Sequence, residues 1–395
     1  MKRRATKILR AGFILIVVFL FCAFALLPQP VHAQTVTATV TVGSAPVGVA
    51  ITPNGAYAYV TNNGIHSDTV SVISTATNAV AATVTVGSYP WGVAITPNGA
   101  YAYVTNQFSN SVSVISTATN TVTATITLPL GSTPWGVAVT PNGAYAYVAN
   151  YGSGLVSGSV FVISTATNTL TATITAGTEP AAVAVTPNGE YAYVTNQGSN
   201  TVSVINIATN AVTGTIPVGN YSGSVAVTPN GAYVYVTNGG SNSVSVISTA
   251  TNTVTATITG LSGPSGIAVT PNGEYAYVTN GVYVDTVSLI STASNTVTRT
   301  IPVGSNPQSV AVTLNGEYAY VTNLYSDTVS VISTGAPTSS PTPTPALTPT
   351  ATASSPSPTV PEFPWMLTIL TLLIAVTTSF AVIVLRQSRQ GSHKI

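Results

Sequence analysis

Residues 96–106 read Thr-Pro-Asn-Gly-Ala-Tyr-Ala-Tyr-Val-Thr-Asn, and close copies of this stretch recur seven times along the chain. The asparagine of its turn stands at Asn54, Asn98, Asn142, Asn188, Asn230, Asn272 and Asn315. Successive copies therefore lie 42 to 46 residues apart. A period of this length is typical of an array of small β-sheets or of helix pairs.

The residues within each copy favour strands over helices. Val, Thr, Ile and Tyr alternate with a period of two, and Gly, Pro, Asn and Ser separate the runs. In the second copy this pattern predicts strands at residues 92–96, 100–105, 111–116 and 121–127. The last of these has threonine at every second position, so it is expected to face water. Each copy is thus a four-stranded antiparallel sheet.

The two ends of the array indicate how it closes. The seventh copy has three strands and then stops, whereas residues 35–42, ahead of the first copy, closely match the fourth strand at 121–127. A closed ring uses such an arrangement, because the amino-terminal strand completes the last blade and removes open edges. We therefore predict an all-β fold, a seven-bladed β-propeller whose last blade is closed by the amino-terminal strand.

The copies resemble the YVTN family of propeller repeats, found in archaeal and bacterial surface-layer-like proteins. The tetrapeptide Tyr-Val-Thr-Asn is present in six copies, and the third copy departs from it with Tyr147-Val-Ala-Asn150. The resemblance covers residues 35–335 and implies a seven-bladed propeller on the cell exterior. It implies no common reaction, because one fold hosts many functions.

Charge is scarce and unevenly placed. Only 4% of residues are charged, and five of the nine basic residues fall within the first ten positions. Residues 34–334 contain one base, Arg299, and seven acids, a net charge of −6 with His66 neutral. Binding to phosphate backbones needs clustered Lys and Arg. Nucleic acid is therefore excluded as a partner.

The amino terminus is typical of an export signal, which we assign to residues 1–33. A basic cluster precedes an apolar run at 11–27, and Val31-His-Ala33 supplies small residues at a cleavage site. An uncleaved anchor helix is the alternative reading of the same run. The sole cysteine, Cys22, lies inside it, so after cleavage neither disulfide nor thiol chemistry remains.

The carboxyl-terminal region predicts a stalk and an anchor. Residues 336–360 are rich in Pro, Thr and Ser, as in extended spacers. Residues 361–385 hold an entry sequence and an apolar run long enough to span a membrane, and the basic tail 386–395 follows on the cytoplasmic side. Val360-Pro-Glu-Phe-Pro364 with this helix is similar to archaeal PEF-CTERM sorting signals, which implies enzymatic removal of the helix. Simple membrane spanning is the alternative.

The sequence offers no recognisable catalytic or metal-binding set. His66 is the only histidine of the repeat region, and Glu190, Glu274 and Glu317 each follow an Asn-Gly turn, dispersed on one face. No Ser, His and Asp set, close carboxylate pair or phosphate-binding loop is apparent. We therefore predict that the protein is not an enzyme and carries no cofactor or metal. The alternatives are a secreted propeller enzyme of the lactonase or lyase type and a purely architectural coat protein.

The loops that differ between copies indicate where a ligand binds. The Thr-Pro-Asn-Gly turns and the Ser-Thr-Ala-Thr-Asn turns lie on one face of the predicted disc, whereas the variable loops lie on the other. Five aromatic residues cluster in one sector of that second face, and they are the predicted ligand-binding residues Tyr89, Trp91, Phe108, Trp135 and Tyr151. Exposed aromatic rings suit a sugar or a protein partner. The alternative is that Trp91 and Trp135 fill space at the channel mouth.

A second group consists of Asp68, Asp285 and Asp327, each just ahead of a third strand. Calcium binding between loops is one interpretation. The aligned residues Asn110 and Asn200 favour the other, in which Asp and Asn form the same turn. Taken together, the pattern predicts a cell-surface propeller, anchored in the membrane, that serves as a surface-layer, adhesion or recognition module for an extracellular protein or glycan.

Overall fold

A computed structural model describes residues 34–152, 158–281 and 284–335. Within these ranges the chain forms 28 strands arranged in seven four-stranded antiparallel sheets. The predicted seven-bladed β-propeller is confirmed. No helix in these ranges has the length and apolar character needed to cross a membrane. The predicted signal segment, stalk, anchor and tail lie outside the described residues.

Strands are numbered in chain order and occupy four positions in each blade. The innermost strands, around the channel, are β2 Pro46–Ile51, β6 Pro90–Ile95, β10 Pro134–Val139, β14 Pro180–Val185, β18 Ser222–Val227, β22 Pro264–Val269 and β26 Pro307–Val312. The second strands are β3 Tyr57–Asn62, β7 Tyr101–Asn106, β11 Tyr145–Asn150, β15 Tyr191–Asn196, β19 Tyr233–Asn238, β23 Tyr275–Asn280 and β27 Tyr318–Asn323.

The third strands are β4 Thr69–Ser74, β8 Ser111–Ser116, β12 Ser159–Ser164, β16 Thr201–Asn206, β20 Ser243–Ser248, β24 Thr286–Ser291 and β28 Thr328–Ser333. The outer strands are β1 Val36–Thr41, β5 Ala79–Thr85, β9 Thr121–Thr127, β13 Thr169–Thr175, β17 Ala211–Pro217, β21 Thr253–Ile258 and β25 Thr296–Pro302. In β9 the threonines are exposed, as predicted.

The amino-terminal strand closes the ring. β1 pairs antiparallel with β28, with Val40 opposite Val329 and Thr41 opposite Thr328. Val40 is only 4% exposed, because it packs between blades one and seven. The predicted exchange of one strand between the two ends of the array is confirmed.

The innermost strands begin earlier than the sequence pattern predicts. β6 starts at Pro90 rather than Gly92, because Pro90 already pairs with Asn106 across a bulge that ends at Val93. A bulge tolerates the proline, which has no N–H to donate. The extra residues bring position 91 into the channel wall.

The repeated tyrosine and threonine of each copy join neighbouring blades. Tyr103 of β7 is 1% exposed, and its hydroxyl donates a hydrogen bond to the Asn168 side chain of blade three. Thr105 of β7 donates to the backbone carbonyl of Trp135 on β10. Blade three has Ala149 in place of this threonine, so it cannot donate the corresponding bond to blade four. The threonine links therefore form an incomplete ring around the channel.

The antiparallel strand order places the loops as predicted. Turns between first and second strands share one face with turns between third and fourth strands. The opposite face, called the variable face below, carries the loops that join second to third strands and those that enter the first strands. The channel opens on this face among the first residues of the innermost strands.

Candidate functional site

A cavity of about 370 Å³ occupies the channel mouth on the variable face. Its wall consists of the first residues of the seven innermost strands, with Gln197 and Tyr221 added from loops. One residue per blade occupies the equivalent position at the mouth, and the seven are Val47, Trp91, Trp135, Ala181, Gly223, Ser265 and Gln308. The side chain at the channel mouth therefore differs from blade to blade, although all blades share the same backbone arrangement.

Three of the predicted binding residues form a single aromatic column at this mouth. The ring centroids of Trp91 and Trp135 lie 4.6 Å apart at 25°, and those of Trp135 and Tyr151 lie 4.3 Å apart at 15°. Both tryptophans are half-buried. Because Trp135 has a ring stacked on each of its faces, a ligand can reach only its edge. The column therefore fills space at the channel mouth, while parts of its rings remain exposed to solvent.

The edges of the two indoles carry donors that the protein does not use. Neither Trp91 nor Trp135 makes a side-chain hydrogen bond to another residue in the described part of the chain. Some polar atoms of the protein are fully buried without a partner, but the two indole N–H groups do not belong to that set. An indole nitrogen is a donor only. Both groups can therefore donate to a ligand oxygen at the channel mouth.

The column ends at a carboxylate. The Tyr151 hydroxyl donates a 2.8 Å hydrogen bond to the Glu179 Oε2, and it lies 3.1 Å from the Gln197 Oε1. Burial first, and then the hydrogen bond to Glu179, raise the pKa of Tyr151 well above its ordinary value. Tyr151 therefore stays protonated at neutral pH and acts as a donor to Glu179.

Sequence reasoning missed four residues of this site, which are Glu179, Gln197, Tyr221 and Gln308. A signal for Glu179 was present, because it occupies the position that Tyr89 and Tyr221 take in other copies. All three have left-handed backbone conformations, with φ of 55°, 55° and 58°. The sequence comparison selected aromatic residues at this position, such as Tyr89, and therefore passed over the glutamate of blade four.

The remaining two predicted residues form a separate pair. Tyr89 and Phe108 have ring centroids 4.2 Å apart at 39°. Phe108 is 65% exposed, which is high for a large apolar side chain, and Tyr89 is half-buried. The structure thus divides the five predicted aromatic residues into the column, from blades two and three, and this pair, from loops of blade two.

The aspartates ahead of the third strands join blades through the backbone. Asp68 accepts the N–H of Tyr89 at 3.1 Å, and Asp327 accepts the N–H of Ala45 at 2.8 Å. Asn200 makes the same bond to Tyr221, at 2.7 Å. The alignment of Asp with Asn predicted a shared turn, and the structure adds that both residue types bond to the backbone of the next blade. Within the described ranges no group of three or more His, Cys, Asp or Glu side chains could hold a metal ion.

The other charged residues singled out in the sequence do not line the cavity. His66 is exposed in a loop of blade one with a φ of 63°. Arg299 is exposed on the outer strand β25. Glu190 is exposed on the opposite face, where its carboxylate accepts a bond from Asn188. These side chains therefore lie on the exposed surface and form no part of the site.

Comparison with known proteins identifies a related family. The model of the family described as lactonase, seven-bladed β-propeller, matches the chain at residues 25–128, 125–259 and 248–355. A solved structure of hydrazine synthase from Kuenenia stuttgartiensis is similar in fold, with a TM-score of 0.68 and 24% identity over 78% of this chain and 99% of that chain. No curated protein sequence matches.

The family match contradicts the prediction that the protein is not an enzyme. That prediction relied on the absence of a recognisable Ser, His and Asp set, close carboxylate pair or phosphate-binding loop from the sequence. A single carboxylate of the described residues, that of Glu179 in a loop, is hydrogen-bonded to the aromatic column through Tyr151. Sequence motifs of known catalytic sets do not reveal such an isolated carboxylate.

Proposed function

This chain belongs to the family of lactonases with a seven-bladed β-propeller, and we propose that it hydrolyses a cyclic ester at the mouth of its channel. The contact between Tyr151 and Glu179 carries this proposal. Glu179 is the one carboxylate among the described residues that bonds to the aromatic column. Hydrolysis of an ester needs a base that activates water and donors that stabilise the developing oxyanion. Trp91, Trp135 and Gln197 on the cavity wall are candidate donors, and Glu179, which is bonded to Tyr151 outside that wall, is the candidate base.

Glu179 is the proposed general base. Its carboxylate takes a proton from water while the water oxygen forms a bond to the ester carbonyl carbon. The ring C–O bond then breaks, and the departing oxygen receives the proton from Glu179. The product is an open-chain hydroxy acid, and the carboxylate is regenerated.

The proposed oxyanion donors are neutral N–H groups. The indole N–H groups of Trp91 and Trp135 and the side-chain amide of Gln197 are the candidates, since all three residues line the cavity. Tyr151 positions the base by donating to one of its two oxygens, which leaves the second for water.

Rates of ring opening by the full-length protein would test this proposal. A panel of γ- and δ-lactones is followed by acid release at constant pH. Replacement of a general base lowers rates by about 10² to 10⁴, so Glu179→Gln should fall in this range. Glu190→Gln is the matched control, because Glu190 lies on the opposite face, and it should keep the native rate. Full activity of Glu179→Gln would refute the role of Glu179, and inactivity of the native protein on every lactone would refute the proposed function.

Recognition of an extracellular protein or glycan is a second candidate function, favoured by the exposure of Phe108. An apolar ring that is 65% exposed and stacked on Tyr89 suits a protein hot spot or a sugar face. Glycan-array screening of native protein and Phe108→Ala would test it. Tyr325→Ala is the control, since Tyr325 is 75% exposed in blade seven. Equal binding by both variants would argue against this function.

The cell surface is the proposed location. The predicted signal at 1–33, stalk at 336–360 and anchor at 361–385 support it, as does the resemblance to surface-layer-like and PEF-CTERM proteins. Protease treatment of intact cells should release the propeller from the stalk. Retention of the protein in the soluble cell interior would contradict this location.

A further inference from the structure

We propose that Asn220, in the loop that enters the innermost strand of blade five, carries an N-linked glycan. Residues 220–222 read Asn-Tyr-Ser, and no other asparagine of the chain has Ser or Thr two positions after it. Asn-x-Ser and Asn-x-Thr are the acceptor sequences for this modification in exported proteins. The glycan rests on the proposed location outside the cell and is independent of the proposed hydrolysis.

Two departures from the repeat create this acceptor sequence in blade five alone. The first residue of the innermost strand is proline in the other six blades and Ser222 here. The residue two positions earlier is Ser or Thr in the other six blades and Asn220 here. Each departure by itself would leave the blade without an acceptor sequence, so the two are informative only together.

The fold gains nothing from Ser222. This serine is fully buried, and its hydroxyl oxygen has no hydrogen-bond partner among the described residues. Opposite it lies Asn238, whose Oδ1 is likewise buried without a partner. Asn106 is in the same state opposite Pro90 of blade two, so the serine supplies no bond that proline lacks. Since a buried polar group without a partner lowers stability, packing does not explain Ser222.

The backbone of Asn220 is held in place, whereas its side chain is available. Its N–H donates to the Ser241 hydroxyl at 2.7 Å, and its carbonyl accepts the N–H of Gly240 at 3.1 Å. Thr178 of blade four makes the same backbone bond to Ser199, so this bond does not require asparagine. Asn220 is exposed, and its side chain makes no hydrogen bond within the described ranges. A glycan on its Nδ2 therefore displaces no contact of the fold.

The sugar donor is a glycosyl phosphate or diphosphate carried by a membrane lipid. The Asn220 Nδ2 forms a bond to the anomeric carbon of the sugar, and the bond from that carbon to the phosphate oxygen breaks. The phosphate leaves with the electron pair, and one amide proton passes to a base of the transferase.

The burial of Ser222 sets the order of events. The acceptor sequence requires the hydroxyl of its third residue, and this hydroxyl is enclosed in the folded blade. The glycan is therefore attached before β18 pairs with β19. Folding then buries Ser222 and leaves the glycan at the rim of the variable face, beside Tyr221, which is 59% exposed.

Mass spectrometry of the full-length protein, isolated from the membranes of the cells that make it, would test the modification. An elastase digest should contain the peptide around Asn220 with the added mass of a glycan. Asn220→Gln and Ser222→Pro should both lose this mass, whereas Ser222→Thr should keep it because the acceptor sequence remains.

Ser222→Pro is the matched control for folding, because it restores the residue of the other six blades. Tyr221 has a φ of 58°, close to the 55° of Tyr89, which precedes a proline, so the backbone accepts the change. The urea midpoint of Ser222→Pro should be at least as high as that of Asn220→Gln, which also lacks the glycan. Loss of the mass in a well-folded Ser222→Pro variant then reports on the acceptor sequence.

Cell-free synthesis tests the order of events. The full chain made in the presence of membranes that hold the transferase and its lipid-linked donor should be modified. The same chain made and folded without membranes, and mixed with them afterwards, should stay unmodified. Equal modification of the two would overturn attachment before folding.

The remaining outcomes separate the glycan from the other proposals. Unmodified Asn220 in protein that protease releases from intact cells would overturn the modification and leave the location standing. Protein confined to the cell interior would overturn both. A glycan mass that persists in Ser222→Pro would also overturn the assignment to this acceptor sequence. Lactone hydrolysis is measured independently, and its absence would leave the modification standing.

Discussion

The hydroxyl of Tyr103 in blade two donates a 2.6 Å hydrogen bond to the side-chain oxygen of Asn168 in blade three. The tyrosine is almost fully buried, whereas the asparagine is partly exposed in the turn before β13. Replacing Tyr103 with Phe removes the bond and keeps the ring. We expect a loss of about 1 kcal/mol in the free energy of unfolding, measured by urea denaturation of the propeller.

The repeat supplies a control for this prediction. Tyr277 is equivalent to Tyr103, but it faces blade seven, where the two chain ends replace the turn that carries the asparagine. Among the described residues the Tyr277 hydroxyl has no hydrogen-bond partner. Tyr277→Phe should therefore change stability by less than about 0.5 kcal/mol. Equal losses in the two variants would show that the bond between blades contributes nothing.

The buried tyrosines make stability sensitive to alkali. Burial first, and then a neighbouring tyrosine, raise the pKa to about 12 for Tyr59, Tyr103, Tyr147, Tyr193, Tyr235 and Tyr320. Because the folded protein keeps these protons where the unfolded chain loses them, the stabilisation is complete below pH 10. It is lost as the pH rises from 10 towards 12.

The urea midpoint should therefore fall steeply between pH 10 and 12, and these groups should cause no change between pH 7 and 9. Phenolate absorbance recorded with circular dichroism provides the check. Ionisation of the full set of tyrosines near pH 10, with the fold intact, would contradict the assignment.

The fold was predictable because its determinants are local and repeated. The turn Thr96-Pro-Asn-Gly99 shows why, since the Thr96 hydroxyl donates to Asn98 and accepts the N–H of Tyr101. These two hydrogen bonds span at most six residues of sequence. Closure was predictable for the same reason, because residues 35–42 match the outer strands of the other blades.

The site was only partly predictable, because its contacts are not local. Trp91 and Trp135 were found by comparing equivalent positions, yet their stacking depends on the distance between blades. The bond from Tyr151 to Glu179 joins loops 28 residues apart. Comparison of the copies singles out position 179 but does not reveal which residue contacts it. The strand start at Pro90 was also missed, since a bulge shifts the register there.

The hydrogen bonds that the repeated threonines make between blades predict that the stability of the fold and the environment of the site tryptophans change together. Thr105 donates to the Trp135 carbonyl at 2.5 Å and accepts the N–H of Gly92 at 2.8 Å. Thr105→Val removes both bonds, and we expect a loss of about 1–3 kcal/mol together with a shift in tryptophan emission. Unfolding and fluorescence of residues 34–335 measure the two effects, since Trp91 and Trp135 are the tryptophans of that segment.

Thr195→Val is the matched control. It removes a bond to the Gly223 carbonyl at 2.6 Å and one from the Ala182 N–H at 3.0 Å, away from both tryptophans. It should lower stability by a similar amount without moving the emission. An emission shift of the same size in both variants would indicate general loosening rather than a link to the site.

Closure of the ring by β1 predicts an unusually effective disulfide. Thr41 of β1 lies opposite Thr328 of β28. The neighbouring pair, Val42 and Asp327, is hydrogen-bonded through the Val42 N–H and the Asp327 carbonyl. The threonines are thus a non-hydrogen-bonded pair, whose side chains approach closely enough for a disulfide. The double variant Thr41→Cys/Thr328→Cys would tie the two ends of the ring together around nearly the whole domain.

The same geometry exists inside blade one, where Thr69 pairs with Thr85 and the Val86 N–H donates to the Asp68 carbonyl. A disulfide between cysteines at 69 and 85 closes a short loop with the same flanking hydrogen bond. Since loop entropy grows with the logarithm of length, the ring-closing disulfide should stabilise by about 2.5 kcal/mol more than this one. Urea unfolding of each variant with and without reductant measures the difference, because residues 34–335 contain no other cysteine. Equal gains from the two disulfides would mean that the unfolded chain keeps its ends together, and that β1 adds little to closure.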